Sequence, residues 1–153
     1  MLKQIKGLHH VTSLASSAAV NNAFFTKVLG LRRVKKTVNF DAPDVYHLYY
    51  GDEVGTPGSV MTYFPFQNAA RGKRGVGEVG VTSFSIPKGS AAAWGDRLGT
   101  FEVANVTTDV RFGQNRILFD GPDGDRFALV ETDDDRTPWT GNGISADMGI
   151  RGF

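Results

Sequence analysis

Few residues of this chain can do chemistry, and two of those few are adjacent. Among 153 residues there are three histidines and no cysteine. Disulfides, thiolate metal sites and a cysteine nucleophile are therefore excluded. His9 and His10 lie within Leu8–Leu14, a β-prone run that reads as a strand. Strand alternation puts Leu8, His10 and Thr12 on one face and His9 on the other. Neutral imidazole is the commonest protein ligand for metal ions. A histidine pair in a half-buried strand is equally well satisfied by backbone contacts, and on spacing alone both readings stand. His47 sits among Tyr46, Tyr49 and Tyr50. That setting suits a polar lining residue, an imidazole hydrogen-bonded between aromatic neighbours, or a ligand.

Other reactive-looking features have plainer readings. Asp133-Asp134-Asp135 follows a β-prone run and reads as a solvated turn. Gly121-Pro122-Asp123-Gly124-Asp125 resembles part of a calcium loop but lacks its terminal Glu, and reads as a β-turn. The glycines between Gly72 and Gly80 lack the strand, Lys-Ser/Thr and helix of a nucleotide loop. Arg71, Lys73 and Arg74 form a small basic cluster in a chain of net charge +1, a solvated loop that points to no nucleic-acid partner. No apolar run approaches membrane-spanning length and no signal-peptide h-region opens the chain, which together with the missing cysteines fits a cytoplasmic protein.

The elements that must position these residues come in two copies. Val11-Thr12-Ser13-Leu14 recurs as Val81-Thr82-Ser83-Phe84, and Lys27-Val28-Leu29-Gly30 recurs loosely as Asp96-Arg97-Leu98-Gly99. After the strand Leu8–Leu14, Ser16 or Ser17 can cap a helix carrying Val20, Phe24 and Val28, with Phe25 and Leu29 beside them and Gly30 at its left-handed end. Strands follow at Leu31–Asn39, Val45–Tyr50 and Ser59–Phe66, separated by the turn sequences Asp41-Ala42-Pro43-Asp44 and Gly55-Thr56-Pro57-Gly58. The second copy repeats the order: strand Glu78–Ile86, helix Ser90–Leu98, then strands near Val103–Phe112, Asn115–Phe119 and Arg126–Glu131. The expected fold is α+β, two βαβββ modules forming curved mixed sheets, with the modules at 1–66 and 77–131, a linker at 67–76 and an irregular tail at 132–153.

In this arrangement the sequence resembles the vicinal-oxygen-chelate superfamily, which includes glyoxalase I, bleomycin-resistance proteins and extradiol dioxygenases. More narrowly it resembles the N-terminal domain of the hydroquinone-type ring-cleaving dioxygenases. The likeness rests on Gly7-Leu8-His9-His10-Val11-Thr12, Phe24-Phe25-Thr26-Lys27-Val28-Leu29-Gly30-Leu31, Val34–Asp41, Tyr46-His47-Leu48-Tyr49-Tyr50-Gly51-Asp52 and Met61–Phe66, and covers nearly the whole chain. It implies a metal site for Fe(II), or Mn(II), of two histidines and a carboxylate with open positions for a small aromatic substrate and dioxygen. It makes His10 a metal ligand and places His9 and Thr12 beside the metal as catalytic helpers.

The resemblance leaves the ligand set incomplete. The repeat carries His10 onto Gly80, and the positions expected to hold the carboxylate are Thr62 and Ala128. His47 and Glu131 are the weaker metal candidates. Glu131 has the strand parity opposite to Ala128 and would need a bulge to reach the site. The family's longer members take the missing ligands from a second domain of the same design. Ile150-Arg151-Gly152-Phe153 resembles Ile5-Lys6-Gly7-Leu8, as though a second domain begins where the chain stops. The expected activity is that of the N-terminal half of an extradiol-type dioxygenase acting on hydroquinone- or catechol-like aromatics, partnered by a second domain or a homodimer copy. The alternatives are a non-catalytic homodimeric binding protein like the bleomycin-resistance proteins, or a glyoxalase-type metalloenzyme.

Overall fold

A computed structural model describes residues 4–153. The first unit runs β1 (His10–Ala15), α1 (Ala18–Ala23), a π-helical turn (Phe24–Val28), β2 (Arg32–Val38), β3 (Tyr46–Gly51) and β4 (Val60–Pro65). The second runs β5 (Thr82–Pro87), α2 (Ala91–Thr100), β6 (Thr107–Arg111), β7 (Gln114–Asp120) and β8 (Arg126–Thr132). Each unit makes a four-stranded mixed sheet, ordered β1-β4-β3-β2 and β5-β8-β7-β6. The first and last strands of each unit pair in parallel and the others antiparallel. This is the doubled βαβββ arrangement expected from the turn chemistry. The turns behave as their residues dictate: Asp52 accepts hydrogen bonds from the backbone of Val54, Gly55 and Thr56, and closes the β3–β4 connection.

The first helix departs from the expected stripe. Ser17 caps it, accepting from the Val20 backbone at 3.4 Å. Val20, however, is 52% exposed, while Asn21, Phe24, Phe25 and Val28 are buried. Beyond Phe24 the helix continues as a π-helical turn, in which Leu29 N–H bonds to the Phe24 carbonyl and the helix gains a residue. Two consecutive phenylalanines can then both face inward. Phe25 packs on Tyr50 and Tyr63 of the first sheet, and Phe24 on Phe119 and Phe127 of the second. One helix thus joins both sheets into a single core.

Polar contacts reinforce that junction. In the β7–β8 turn, Asp123 accepts from the Ser16 backbone and hydroxyl, and Asp125 from the hydroxyls of Ser13 and Tyr63. Arg97 on α2 donates to the carbonyls of Lys27 and Val28 at the end of the π-helical turn, and to those of Asn142 and Gly143. The segment after β8 has no helix or strand, yet it is bound down: Gly152 bridges to Ser85 on the edge of β5, and Phe153 N–H bonds to the Gly58 carbonyl.

Gly30 ends the helix at φ +68°, and the side chain of Ile144 from the tail fills the space a Cβ would occupy. Gly30→Ala is expected to add about 1–2 kcal/mol of left-handed backbone strain and about 1–3 kcal/mol of overpacking against Ile144. Urea denaturation reads the sum, and limited proteolysis should show the tail loosened first. A variant as stable as the parent would contradict this packing.

Candidate functional site

The face of the first sheet turned away from α1 carries the chemistry-bearing residues. Strand pairing lays them out in rows. Thr12 stands opposite Thr62, which stands opposite Tyr49, and Tyr49 opposite Lys35. The next row holds Leu14, Phe64 and, beside Phe64, His47. His10 opens β1 opposite Val60. The other face carries Ala15, Met61, Tyr63, Leu48 and Tyr50, all buried in the core.

His10 and Thr12 are exposed on this open face. His9 is not directed away from them, as strand alternation suggested. Its Nδ1 lies 3.0 Å from the Nδ1 of His10, and the rings meet edge-on with centroids 5.2 Å apart. The regular strand begins only at His10, so alternation does not govern His9. The His9 carbonyl accepts from Gly58 N–H, which fixes the approach to the strand. One imidazole donates and the other accepts. If His10 donates from Nδ1, its Nε2 is left bare for a metal, the usual arrangement for a ligating histidine. The Thr12 and Thr62 hydroxyls bond each other at 2.8 Å.

His47 is not presented as a ligand. Its Nδ1 is 2.8 Å from the Tyr49 hydroxyl, and its ring stacks on Phe64 at 3.9 Å. Its Nε2 is buried with no hydrogen-bond partner among the described residues. Burial, helped by the nearby positive charges of His10 and Lys35, holds its pKa below the ordinary 6.5. Between those two values the unfolded chain binds more protons than the folded one, so stability falls as pH drops through 6.5 and is insensitive to this group above it. Thermal melts at pH 7.5 and 5.5 should show that loss, and His47→Asn should lessen it. An equal loss in the variant would contradict the assignment.

Glu131 belongs to the other face of the second sheet. One of its oxygens accepts from Gly89 and Ala91 backbone N–H at 2.9 and 3.0 Å, capping α2, and the other accepts from Asn115. Those bonds hold its pKa low. It pairs opposite the fully buried Ile86, so no bulge turns it toward the open side. The internal repeat also shifts. Ala15 of β1 faces the core, as do Phe84 and Ile86 of β5, so a spacing of seventy residues joins strands of opposite parity. Pairing sets Thr12 opposite Thr62 and Ser83 opposite Ala128, which makes Val81, and not Gly80, the counterpart of His10. Neither can bind a metal. Among the described residues, no group of three or more histidines and acids could hold one. No described helix is long and apolar enough to cross a membrane.

Two βαβββ units sharing one core make the vicinal-oxygen-chelate fold. Among solved structures the chain matches a glyoxylase/bleomycin resistance protein/dioxygenase domain from Frankia with a TM-score of 0.68 over 84% of this chain and 98% of that one, at 13% identity. It matches a candidate dioxygenase from Bacillus subtilis far more closely, with a TM-score of 0.92 and 44% identity over 96% of this chain and 47% of that one. Among curated proteins, it is 43% identical over its full length to the candidate ring-cleaving dioxygenase MhqO of Bacillus subtilis. It is 38% identical over 99% of its length to the chlorohydroquinone/hydroquinone 1,2-dioxygenase of Sphingobium indicum. The chain spans about half the length of these relatives, 49% of each. No family model matches it.

Proposed function

We propose that the chain is the N-terminal half of a metal-dependent ring-cleaving dioxygenase of the extradiol kind, acting on hydroquinone- or catechol-like aromatics. The observation that carries this reading is the His9–His10 contact on the open face, in a chain whose whole length aligns with half of a ring-cleaving relative. His10 supplies one imidazole, and His9 fixes its orientation. The second histidine and the carboxylate come from a second half, since His47 is engaged by Tyr49 and Phe64 and no group of three or more histidines and acids among the described residues could hold a metal. Fe(II), or Mn(II), supplies the redox-active centre at which an aromatic diol and dioxygen are brought together. Here Thr12, tied to Thr62, borders the substrate. A reducing cytoplasm, which keeps ferrous iron reduced, is the location that fits. Dioxygen uptake by the intact protein tests the proposal: it should require both hydroquinone and Fe(II), and cease with a chelator. Uptake indifferent to chelator would overturn it.

A homodimeric binding protein is the second reading, favoured by the Thr and Ala at the two carboxylate positions, Thr62 and Ala128. Stoichiometric ligand binding unchanged by chelator would support it.

A further inference from the structure

Tyr49 and His47 form a second polar pair on the open face, separate from the His9–His10 pair. Pairing across three strands places Tyr49 in the row that contains Thr12 and Thr62. Its hydroxyl touches His47 Nδ1 at 2.8 Å. His47 is clamped between two rings, Phe64 at 3.9 Å and Tyr49 at 4.1 Å between centroids. Its remaining nitrogen, Nε2, is buried and unpartnered among the described residues.

That unpartnered nitrogen decides which way the hydrogen bond runs. A neutral imidazole carries one proton. If Tyr49 donates to Nδ1, the ring proton sits on Nε2, leaving a buried N–H without an acceptor. Buried backbone N–H groups are orphaned more rarely than buried acceptors are left under-satisfied, and the same preference applies to the ring. If the proton sits on Nδ1, His47 donates to the Tyr49 oxygen and only a lone pair is left unmet. The Tyr49 hydroxyl hydrogen is then free to turn outward.

We infer that His47 is a positioning residue whose Nδ1–H grips the Tyr49 oxygen and aims the Tyr49 hydroxyl hydrogen at an oxygen of an aromatic ligand on the open face. The Lys35 ammonium, 5.5 Å from the centre of the Tyr49 ring, adds positive charge beside that spot and suits a phenolic or phenolate oxygen. The ligand class rests on the dioxygenase reading; the direction of the His47–Tyr49 bond does not.

Hydroquinone binding is measured anaerobically on the intact Fe(II)-loaded protein, and the His47 ring proton is located on the 153-residue chain. Nitrogen-15 NMR of the histidine rings should find the His47 proton on Nδ1. Tyr49→Phe and His47→Leu should each weaken hydroquinone binding about tenfold, the worth of one net hydrogen bond. His47→Asn places an amide N–H where Nδ1–H stood and should stay within about threefold of the parent. If His47→Leu fails to fold, the ring NMR and the other two variants decide the matter. A His47 proton on Nε2 overturns the inference, as does hydroquinone binding that Tyr49→Phe leaves unchanged. A proton on Nδ1, with an intact Fe(II)-loaded protein that takes up no hydroquinone, supports the His47–Tyr49 arrangement and counts against the substrate class of the dioxygenase reading.

Discussion

His10→Ala is expected to cut Fe(II)-dependent, hydroquinone-dependent dioxygen uptake by the intact protein more than about a hundredfold, since removing even a partner that only orients a metal ligand costs about 10–100-fold. His9→Ala should fall within that lower range, because it removes the orienting contact at 3.0 Å and leaves the ligand. The ordering of the two variants is the informative result. Both side chains are exposed, so neither change should disturb folding, and an unaltered melting temperature would separate lost chemistry from lost structure. Equal and mild losses would contradict the separate roles. Activity that survives His10→Ala would remove this half from the metal site altogether.

The second large effect is on stability. Phe127→Ala should destabilise the protein by about 3–5 kcal/mol, the usual cost of emptying a buried phenylalanine site. Phe127 is fully buried and stands at the centre of the aromatic cluster. Its ring lies 5.8–6.2 Å from those of Phe24, Phe25, Phe84 and Phe119, so it touches both the helix of the first unit and the sheet of the second. Little else can collapse into the gap without parting the units. Phe112→Ala is the matched control: that ring is 89% exposed at the tip of the β6–β7 hairpin, and its loss should fall within about 0.5 kcal/mol of zero. Urea denaturation of both variants reads the difference. A Phe127 variant that loses less than the control would mean that the two units do not share this core.

The architecture was legible because its signals are local. Turn residues between β-prone runs marked each hairpin, and the Leu29-Gly30 end marked the first helix, whose Gly30 does take a left-handed φ. The failures share a physical cause, which is that one residue of register cannot be seen in composition. Val20 lies outside the expected stripe, while Phe24 and Phe25, at the start of a π-helical turn, both pack inward. The apparent seventy-residue repeat joined strands of opposite parity, so like residues, Thr12 and Thr82, face solvent and core respectively.

The site was legible in part. Thr12 stands on the open face with His10, as alternation required. His9 escaped because the strand begins two residues later than its β-prone run. The Tyr49–His47 pair had a signal that was available, two polar aromatics two residues apart on one strand face. Tertiary partners hid the rest. Glu131 looked like a spare acid at a strand end, and it caps α2 across the fold. Asp123 and Asp125 read as part of a β-turn, and from that turn they also bind the first unit.

The central claim is that this chain supplies one ligand of a metal site shared with a second half. Metal binding tests it most directly, with anaerobic Mn(II) titrations followed by electron paramagnetic resonance on the 153-residue chain and on the intact protein. The shared site predicts stoichiometric binding by the intact protein, its loss in His10→Ala, and no saturable binding by the chain alone at the same concentrations. Tight, stoichiometric binding by the chain alone, or binding by the intact protein that ignores His10→Ala, would contradict it.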